Sequence, residues 1–195
     1  GHGPGRVSTT QGLLSRAELV QASLELIESG QTATGSYLAA PGYATYDYCW
    51  LRDGAFIAAA MDAFDRSDSA AAFHRWVAST VERYRPKVEA LEQKFAMRDV
   101  ADDPLRLLDP RLTLHTRFTS EGREGAEPWG DFQLDGYGFW LTSLASHLAL
   151  SGASAGPFTE AVGLVRRYLE LVWEHPCFDS WEEYPGRRHT TTWAA

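Results

Sequence analysis

The sequence predicts an all-α fold built from hairpins of helices. In several segments, apolar residues recur at intervals of three and four positions, which places them on one face of an α-helix. Residue types that begin and end helices stand at the borders of these segments. No segment alternates apolar and polar residues over a useful strand length. A chain of 195 residues fits one domain of ordinary size, so we predict a single domain over residues 1–195.

The first predicted helix follows Ser15, which forms a capping box with Glu18. Gly30 ends this helix, because glycine is favoured just past a helix C-terminus. The apolar face is predicted to comprise Leu19, Ala22, Leu26 and Ile27. The Gly-, Thr- and Pro-rich stretch that follows predicts a loop, with one short extended piece over residues 36–39.

Three further helices are predicted before residue 96. The first begins near Arg52 and presents to the core Ala55, Phe56, Ala59, Ala60, Ala63 and Phe64. The second is capped by Asp68, ends at Pro86 and presents to the core Phe73, Trp76, Val77, Thr80 and Tyr84. The third spans residues 87–95 and has a weaker pattern.

Between residues 98 and 130 the helical periodicity disappears, and Pro, Gly, Asp and Arg interrupt the chain. Such a long irregular stretch in a compact domain is usually functional or mobile. Helical patterns return over residues 134–150, which stop at Ser151 and Gly152, and over residues 157–173. The last third of the chain therefore also predicts a helical pair.

The composition narrows the possible partners. The formal net charge is -8 and the arginines are scattered, so the chain lacks the basic stripe of a nucleic-acid-binding protein. Aromatic residues make up 12% of the chain, which is enough to line a cleft as well as a core. No apolar run approaches the roughly 20 residues that span a bilayer. The N-terminus shows no apolar signal-peptide core, which favours a cytoplasmic location, although the chain begins without Met.

Two cysteines, Cys49 and Cys177, lie far apart and lack the spacing of metal ligands, so the sequence predicts no metal and no cofactor. Cys49 stands among aromatic residues, where a free thiol behaves as a small buried hydrophobe. A disulfide between Cys49 and Cys177 stays open as an alternative.

Three clusters combine Trp with carboxylates at the borders of predicted helices. They read YDYCWLRDGAF at 46–56, EPWGDFQLDGYGFW at 127–140 and CFDSWEEYPGRRHTTTWAA at 177–195. Aromatic faces beside charged groups suit a sugar ring, whose C–H faces stack and whose hydroxyls need donors and acceptors. Taken alone, the first cluster is better explained as a helix start above buried aromatics. Because three such clusters are separated by helices that can pair, we expect them to converge at one end of a helical toroid.

These motifs resemble those of glycoside hydrolase family 15, the glucoamylase-like enzymes. The resemblance rests, in this order and spacing, on Tyr46, Trp50, Arg52, Asp53, Trp129, Gly130, Gln133, Asp135, Trp181, Glu182 and Glu183. It extends from about residue 30 to the end of the chain. It implies an (α/α)6 barrel that hydrolyses α-linked glucosides from the non-reducing end, with inversion at the anomeric carbon.

The resemblance also implies a role for each residue. Glu182 resembles the general acid, and Glu183 resembles a neighbour that binds the sugar on the leaving-group side. Arg52 and Asp53 resemble the pair that holds the hydroxyls of the terminal glucose. The aromatic walls of that pocket are expected to be Tyr46, Trp50, Trp129 and Trp181. Behind the pocket we expect Gln133 and Asp135, with Asp135 capping its helix and orienting Arg52.

An inverting hydrolase needs a second carboxylate that activates water on the opposite face of the sugar. In the family this base lies in the second half of the barrel, and the helices predicted here account for about half of a twelve-helix toroid. The carboxylates of Asp135, Asp179 and Glu183 do not match the position of the base. We therefore assign no base, and we expect the chain to be the N-terminal half of a catalytic domain, incomplete at its C-terminus.

Two function hypotheses follow from the sequence. The first is an α-glucoside hydrolase, for which an α-1,4-glucan, an α-1,6-linked isomalto-oligosaccharide or dextran, and trehalose all stay open as substrates. The alternative is a non-catalytic carbohydrate-binding module, or one that depends on assembly with a partner. Because half a toroid leaves apolar helix faces uncovered, association through exposed helix faces is also expected.

Overall fold

The computed structural model describes residues 14–99 and 108–184, and it confirms the all-α prediction. These residues form six α-helices: α1 Arg16–Gly30, α2 Leu51–Ala63, α3 Ser67–Arg83, α4 Arg85–Ala96, α5 Asp135–Ser151 and α6 Thr159–Val172. Two single-turn 3-10 helices, Ala44–Tyr46 and Gly156–Phe158, precede longer elements. The N-terminal segment, part of the irregular stretch and the end of the third cluster, at residues 1–13, 100–107 and 185–195, lie outside the described residues.

Helices α2, α3, α5 and α6 share one hydrophobic core. Helix α2 packs against both α3 and α5, and α6 packs against α3 and α4. The largest fully buried apolar side chains of these helices include Met61, Phe73, Tyr137, Trp140, Leu144 and Tyr168. Each such side chain contributes about 1.5–3 kcal/mol by leaving water. Among the described helices, none is both long enough and apolar enough to cross a membrane.

Helix α1 begins with the predicted capping box but buries a different face. The Ser15 backbone N–H donates to Glu18 Oε2 at 2.7 Å, and the Glu18 backbone N–H donates to Ser15 Oγ at 3.3 Å. The predicted face was wrong, since Leu19 is 52% exposed and Leu26 is 73% exposed. The buried residue of α1 is Leu24. Helix α1 lies at the margin of the core, so only a narrow stripe of its surface is covered.

The face of α2 was also predicted incorrectly. Ala55 is buried as predicted, but Phe56 is 58% exposed and Phe64 is 47% exposed. The buried residues of α2 are Leu51, Gly54, Ala55, Ala58, Met61 and Asp62. The reason is close packing: a Cβ atom at Gly54 would lie 2.3 Å from the ring of Phe73 on α3. Small residues on α2 therefore face the neighbouring helices, and Phe56 packs on the outer surface against Phe139 of α5.

The predicted inward face of α3 is confirmed in its main part. The side chains of Phe73, Trp76, Val77 and Thr80 are buried, while Tyr84 is half-buried beyond the helix end. The predicted cap at Asp68 was wrong, because Arg66 occupies the cap position and Asp68 lies in the first turn of α3. Pro86 lies in the first turn of α4, where its missing N–H costs no hydrogen bond.

The irregular stretch contains a short strand that the sequence did not indicate. Strand β1, Cys49–Trp50, pairs antiparallel with strand β2, Arg117–Phe118, with Trp50 opposite Arg117. The Leu51 backbone N–H donates to the Thr116 carbonyl at 3.2 Å, which fixes the start of α2 against this segment. Two-residue strands carry no detectable alternation, so sequence periodicity cannot reveal them.

The ends of the last two helices agree with the prediction. Helix α5 stops at Gly152, whose φ of 67° is the left-handed conformation that favours glycine. Helix α6 ends at Trp173. Cys49 and Cys177 are both buried and no disulfide joins them, which confirms the interpretation of Cys49 as a small hydrophobe. Burial raises the pKa of the Cys49 thiol well above its usual range.

Helix packing also gathers three titratable side chains in the core. Asp62 on α2, His74 on α3 and His147 on α5 are all buried. Burial, followed by the proximity of His147, lowers the pKa of His74 to about 3. The sequence analysis predicted no metal site, because these residues stand on three separate helices and show no ligand spacing along the chain.

Candidate active site

The predicted site residues meet where α2 and α5 begin. Gly136 allows this approach, because a Cβ atom there would lie 3.1 Å from the backbone nitrogen of Arg52. The two helix starts border a cleft of about 200 Å³. The cleft is lined by Ala39, Tyr46, Trp50, Arg52, Asp53, Ser180, Trp181 and Glu182. Six of these eight residues were predicted from the sequence as parts of the site.

The Glu182 carboxylate is held by three N–H donors from two other clusters. Its Oε1 accepts from Trp50 Nε1 at 2.8 Å and from Gln133 Nε2 at 2.8 Å. Its Oε2 accepts from Trp129 Nε1 at 2.6 Å. The three Trp-carboxylate clusters of the sequence therefore converge on a single carboxyl group.

The backbone around Glu182 is a tight turn with an unusual conformation. The φ of Glu182 is 62°, a left-handed value that is uncommon for any residue other than glycine. Asp179 holds the turn: its carbonyl accepts from the Glu182 N–H, and its Oδ1 accepts from the N–H groups of Glu183 and Tyr184. The hydrogen bonds to Asp179 and to the two indoles together support a strained backbone that aims Glu182 into the cleft.

Gln133 is the link between Glu182 and Arg52. It is fully buried, and its Oε1 accepts from Arg52 Nη1 at 3.0 Å and from Thr116 Oγ1 at 3.3 Å. Its Nε2 donates to the Gly130 carbonyl at 2.8 Å as well as to Glu182. All four hydrogen-bonding positions of this amide are used, which fixes its orientation.

Asp135 orients Arg52 from the start of α5. Its Oδ2 accepts from Arg52 Nη1 at 3.0 Å, and its Oδ1 accepts from the Gly136 N–H at 2.9 Å. The side chain of Arg52 is 15% exposed and that of Asp135 is 3% exposed. Both hydrogens of Nη1 are occupied by Gln133 and Asp135, so Nε and Nη2 of Arg52 are the donors left to face a ligand.

The model for Glycosyl hydrolases family 15 matches residues 15–195. The chain belongs to this family. It is 38% identical over 179 residues to an isomaltose glucohydrolase from Kribbella flavida, an alignment that covers 91% of this chain and 45% of the relative.

Solved structures of glycosidases show the same fold. A wild-type glycosidase superimposes with a TM-score of 0.80 at 36% identity, covering 93% of this chain and 48% of that structure. A glycosidase variant in complex with glucose gives the same values. The chain spans about half the length of these relatives. The helix arrangement agrees with the (α/α)6 fold of the family, as predicted.

Asp53 is a second carboxylate, besides Glu182, that lines the cleft. It lies in the first turn of α2, next to Arg52. Desolvation raises the pKa of Asp53, Arg52 partly opposes this increase, and the nearby charges of Glu182 and Asp135 add to it. The carboxylates of Asp53 and Glu182 are therefore close enough for their charges to interact.

The aromatic residues form a connected layer around Trp50. The Trp50 ring lies 6.0 Å from Tyr46 and 5.9 Å from Trp129, the latter in an edge-to-face arrangement. Trp129 does not line the cleft itself but supports Trp50 and Glu182 from the side. Trp181 lines the cleft and is 81% exposed. Glu183 is exposed and is not among the residues that line the cleft.

Arg117 is a buried part of the site that the sequence analysis missed. Its side chain is 1% exposed, and its guanidinium carbon lies 4.4 Å from the ring centres of both Tyr48 and Trp129. The Trp50 ring centre lies 5.6 Å away. Nη2 donates to the Glu127 carbonyl at 3.1 Å. Strand pairing places Arg117 opposite Trp50, so no spacing along the chain could have indicated this contact.

Proposed function

We propose that the chain forms the acid side of an active site that hydrolyses α-glucosidic bonds, releasing glucose from the non-reducing end with inversion. The observation that carries this proposal is the Glu182 carboxyl group, held by Trp50, Trp129 and Gln133 at a cleft lined by aromatic and charged side chains. Membership of the family supports the same reaction class.

Glu182 acts as the general acid in this proposal. A carboxyl group has two lone pairs on each oxygen, and both on Oε1 are occupied by Trp50 and Gln133. Oε2 accepts one hydrogen bond, from Trp129, and retains a position for a proton. Oε2 is therefore the atom that carries the proton to the glycosidic oxygen as the bond breaks.

Arg52 and Asp53 hold the terminal glucose in this proposal. The donors left on Arg52 and the carboxylate of Asp53 face the cleft beside the Tyr46 and Trp50 rings. Sugar hydroxyls bind such charged groups, while the C–H face of the ring packs on aromatic surface. The negative charge of Asp53 also stabilises the oxocarbenium-like transition state.

An α-1,6-linked glucoside of the isomaltose type is the substrate that we favour. The sequence alone left α-1,4 linkages, α-1,6 linkages and trehalose open. The relative from Kribbella flavida, 38% identical, is an isomaltose glucohydrolase, and this supports the α-1,6 choice.

The water-activating base is assigned to none of the carboxylates described here. The Asp179 carboxylate accepts two backbone N–H groups within its turn, and the Asp135 carboxylate is paired with Arg52. The Asp179 carboxylate holds the turn that carries Glu182, and the Asp135 carboxylate holds Arg52. These contacts support the expectation from the sequence that neither Asp135 nor Asp179 is the base.

The test is hydrolysis of isomaltose, maltose and trehalose by the gene product that contains this chain, with the released anomer followed by NMR. We expect isomaltose to be cleaved fastest and β-glucose to appear first, because inversion at an α-linked carbon gives the β-anomer. Initial release of α-glucose would contradict inversion. Sugar binding without any turnover would instead favour the non-catalytic carbohydrate-binding module.

A further inference from the structure

A second cluster of functional groups lies in the core, away from the cleft. His147 Nδ1 lies 2.9 Å from Asp62 Oδ1 and 3.0 Å from Asp62 Oδ2. The His74 ring packs beside the His147 ring at 5.0 Å between centres. One candidate ligand atom from each of the three residues lies within 4.8 Å of the other two. These side chains come from α2, α3 and α5, so the cluster joins three helices.

His74 is the anomaly in this cluster. Its exposure is 0%, yet neither Nδ1 nor Nε2 has a hydrogen-bond partner among the described residues. Burying a polar group without a hydrogen-bond partner destabilises a protein. Native proteins rarely leave such a group unsatisfied, so an imidazole with two unpaired nitrogens points to a missing ligand.

We propose that Asp62, His74 and His147 bind a divalent transition-metal ion of the zinc type. Two imidazole nitrogens and one carboxylate oxygen form a donor set that suits Zn²⁺ and its first-row neighbours. Ca²⁺ and Mg²⁺ prefer shells made of oxygen atoms, which this cluster does not offer. A fourth position on the ion is completed by a small ligand such as water.

A modest movement of His74 completes the geometry. Tetrahedral zinc with bonds of about 2.0–2.1 Å places its ligand atoms about 3.3 Å apart. The candidate ligand atoms here lie within 4.8 Å of one another, so the cluster has to close around the ion. His74 makes no hydrogen bond that such a movement would break. Asp62 then supplies the carboxylate oxygen, while His74 and His147 each supply one imidazole nitrogen.

The site is separate from the cleft and acts on stability. Asp62 lies about 15 Å along α2 from Arg52, at a rise of 1.5 Å per residue. A bound ion therefore cannot touch a sugar held by Arg52 and Asp53. It instead cross-links α2, α3 and α5 near the ends of α2 and α5 that lie away from the cleft. An ion that binds only the folded chain raises stability by mass action.

The test begins with metal content. The gene product that contains this chain is stripped with a chelator, dialysed against Zn²⁺ and then against metal-free buffer, and its zinc is measured by mass spectrometry. We expect one zinc per chain and a rise in Tm of about 5 °C or more at saturating Zn²⁺. A wild-type chain that retains no stoichiometric zinc would overturn the proposal by itself.

Two variants test the ligands, and a third is the control. His74→Phe and Asp62→Asn keep approximate side-chain shape and should lower zinc affinity by about 100-fold or more. His115→Gln removes a histidine outside the cluster and should leave zinc content unchanged. Titration with Co²⁺, followed by its visible absorption, gives the same comparison without thermal unfolding. Equal zinc content in the wild type and His74→Phe would place the ion elsewhere and refute the site.

Discussion

At the scale of single residues, a change at the proposed acid Glu182 is expected to affect turnover far more than sugar binding. In Glu182→Gln the amide oxygen still accepts from Trp50 and Gln133, but no acidic proton is available for the leaving group. We expect turnover of substrates with poor leaving groups to fall by about 100-fold or more, while glucose binding changes little. Steady-state kinetics and calorimetric titration with glucose check the two parts, with the exposed Glu89→Gln as control. Turnover near the wild-type rate would remove Glu182 from the role of acid.

Arg117 is expected to position the two indoles that hold Glu182. Arg117→Met keeps much of the volume but removes the charge that lies against Tyr48, Trp50 and Trp129. It also leaves the Glu127 carbonyl without its donor. We expect kcat to fall by about 10-fold and the tryptophan emission to shift, because the rings lose a contact of about 1–2 kcal/mol.

The control for this change is Arg111→Met, since the Arg111 side chain is 88% exposed. Arg117→Lys should restore the charge but only part of kcat, because an ammonium group lacks the planar face that stacks on the rings. If Arg117→Met keeps both the wild-type emission spectrum and the wild-type kcat, the guanidinium has no positioning role.

The motif residues could be found from the sequence, whereas Arg117 could not. Trp50, Trp129 and Glu182 each stand beside other aromatic or acidic residues, so composition marks them locally. Arg117 stands in an irregular stretch and acquires its role only through pairing with Trp50. A contact that depends on a two-residue ladder has no signal at the level of a single sequence.

At the scale of elements, the α2–α3 contact depends on a glycine. A Cβ atom at Gly54 would meet the Phe73 ring at 2.3 Å, so Gly54→Ala forces the two helices apart or moves the ring. We expect a loss of about 1–3 kcal/mol in the free energy of unfolding. The matched control is Gly163→Ala on α6, where the nearest atom to the new Cβ is the flexible end of Arg167 at 3.8 Å.

Gly163→Ala should stabilise the chain by up to about 1 kcal/mol, because alanine has the higher helix propensity. Denaturant unfolding of both variants gives the comparison. We expect the free energy of unfolding to fall in Gly54→Ala and to rise in Gly163→Ala. A Gly54→Ala variant that is more stable than the wild type would show that α2 and α3 are not in close contact.

The loop after α1 is attached to α3 through Tyr37. The Tyr37 and Ser69 hydroxyls are 2.5 Å apart, and Ser69 also contacts Gln31. Burial is the main cause that raises the pKa of Tyr37 from 10.0 to about 12. Between these two pH values the unfolded chain loses a proton that the folded chain keeps, so stability falls as pH rises through this range.

Tyr37→Phe removes one titrating group from this range. We expect its free energy of unfolding to be lower at neutral pH by about 1 kcal/mol, from the lost hydrogen bond, but to depend less on pH between 10 and 12. Urea unfolding at several pH values measures the slope, which for one proton reaches about 1.4 kcal/mol per pH unit. An unchanged slope would mean that Tyr37 ionises freely in the folded chain.

The existence of the helices followed from periodicity, but the buried face did not always follow. The α3 face was correct because α3 packs against α2, α5 and α6, so a broad stripe of its surface is covered. The faces of α1 and α2 were wrong because burial depends on where neighbours lie, as the exposed Leu26 and Phe56 show. A single sequence records which residues are apolar and leaves open which of them a partner covers.

At the scale of the whole molecule, the cleft and the proposed metal site lie towards opposite ends of α2. The cleft lies where α2 and α5 begin, and the proposed metal site lies about 15 Å further along α2. The strained turn of Glu182 and the groups proposed to bind sugar therefore lie at one end of α2, and the proposed metal ligands lie towards its other end. Because of this separation, a substitution at one site can be tested without touching the other.

The exposed apolar faces of α1 and α2 predict association of the 195-residue chain. Leu19, Leu26, Phe56 and Phe64 are each between 47% and 73% exposed. Leu26 also borders an apolar groove of about 410 Å³ between α1, the loop that follows it and α2. Monomeric proteins rarely expose apolar patches larger than a few hundred Å². We therefore expect sedimentation at tens of micromolar chain to give a mass above the 21.6 kDa of one chain.

The double variant Leu26→Glu with Phe56→Glu should return the mass to that of a monomer, because it places a charge on the exposed apolar face of each helix and opposes its burial. Ser79→Glu, on an exposed position of α3, adds charge elsewhere and should leave the association unchanged. A wild-type chain that sediments as a 21.6 kDa monomer at about 100 µM would contradict the prediction. Loss of association in Ser79→Glu would show that net charge, and not the apolar faces of α1 and α2, controls the assembly.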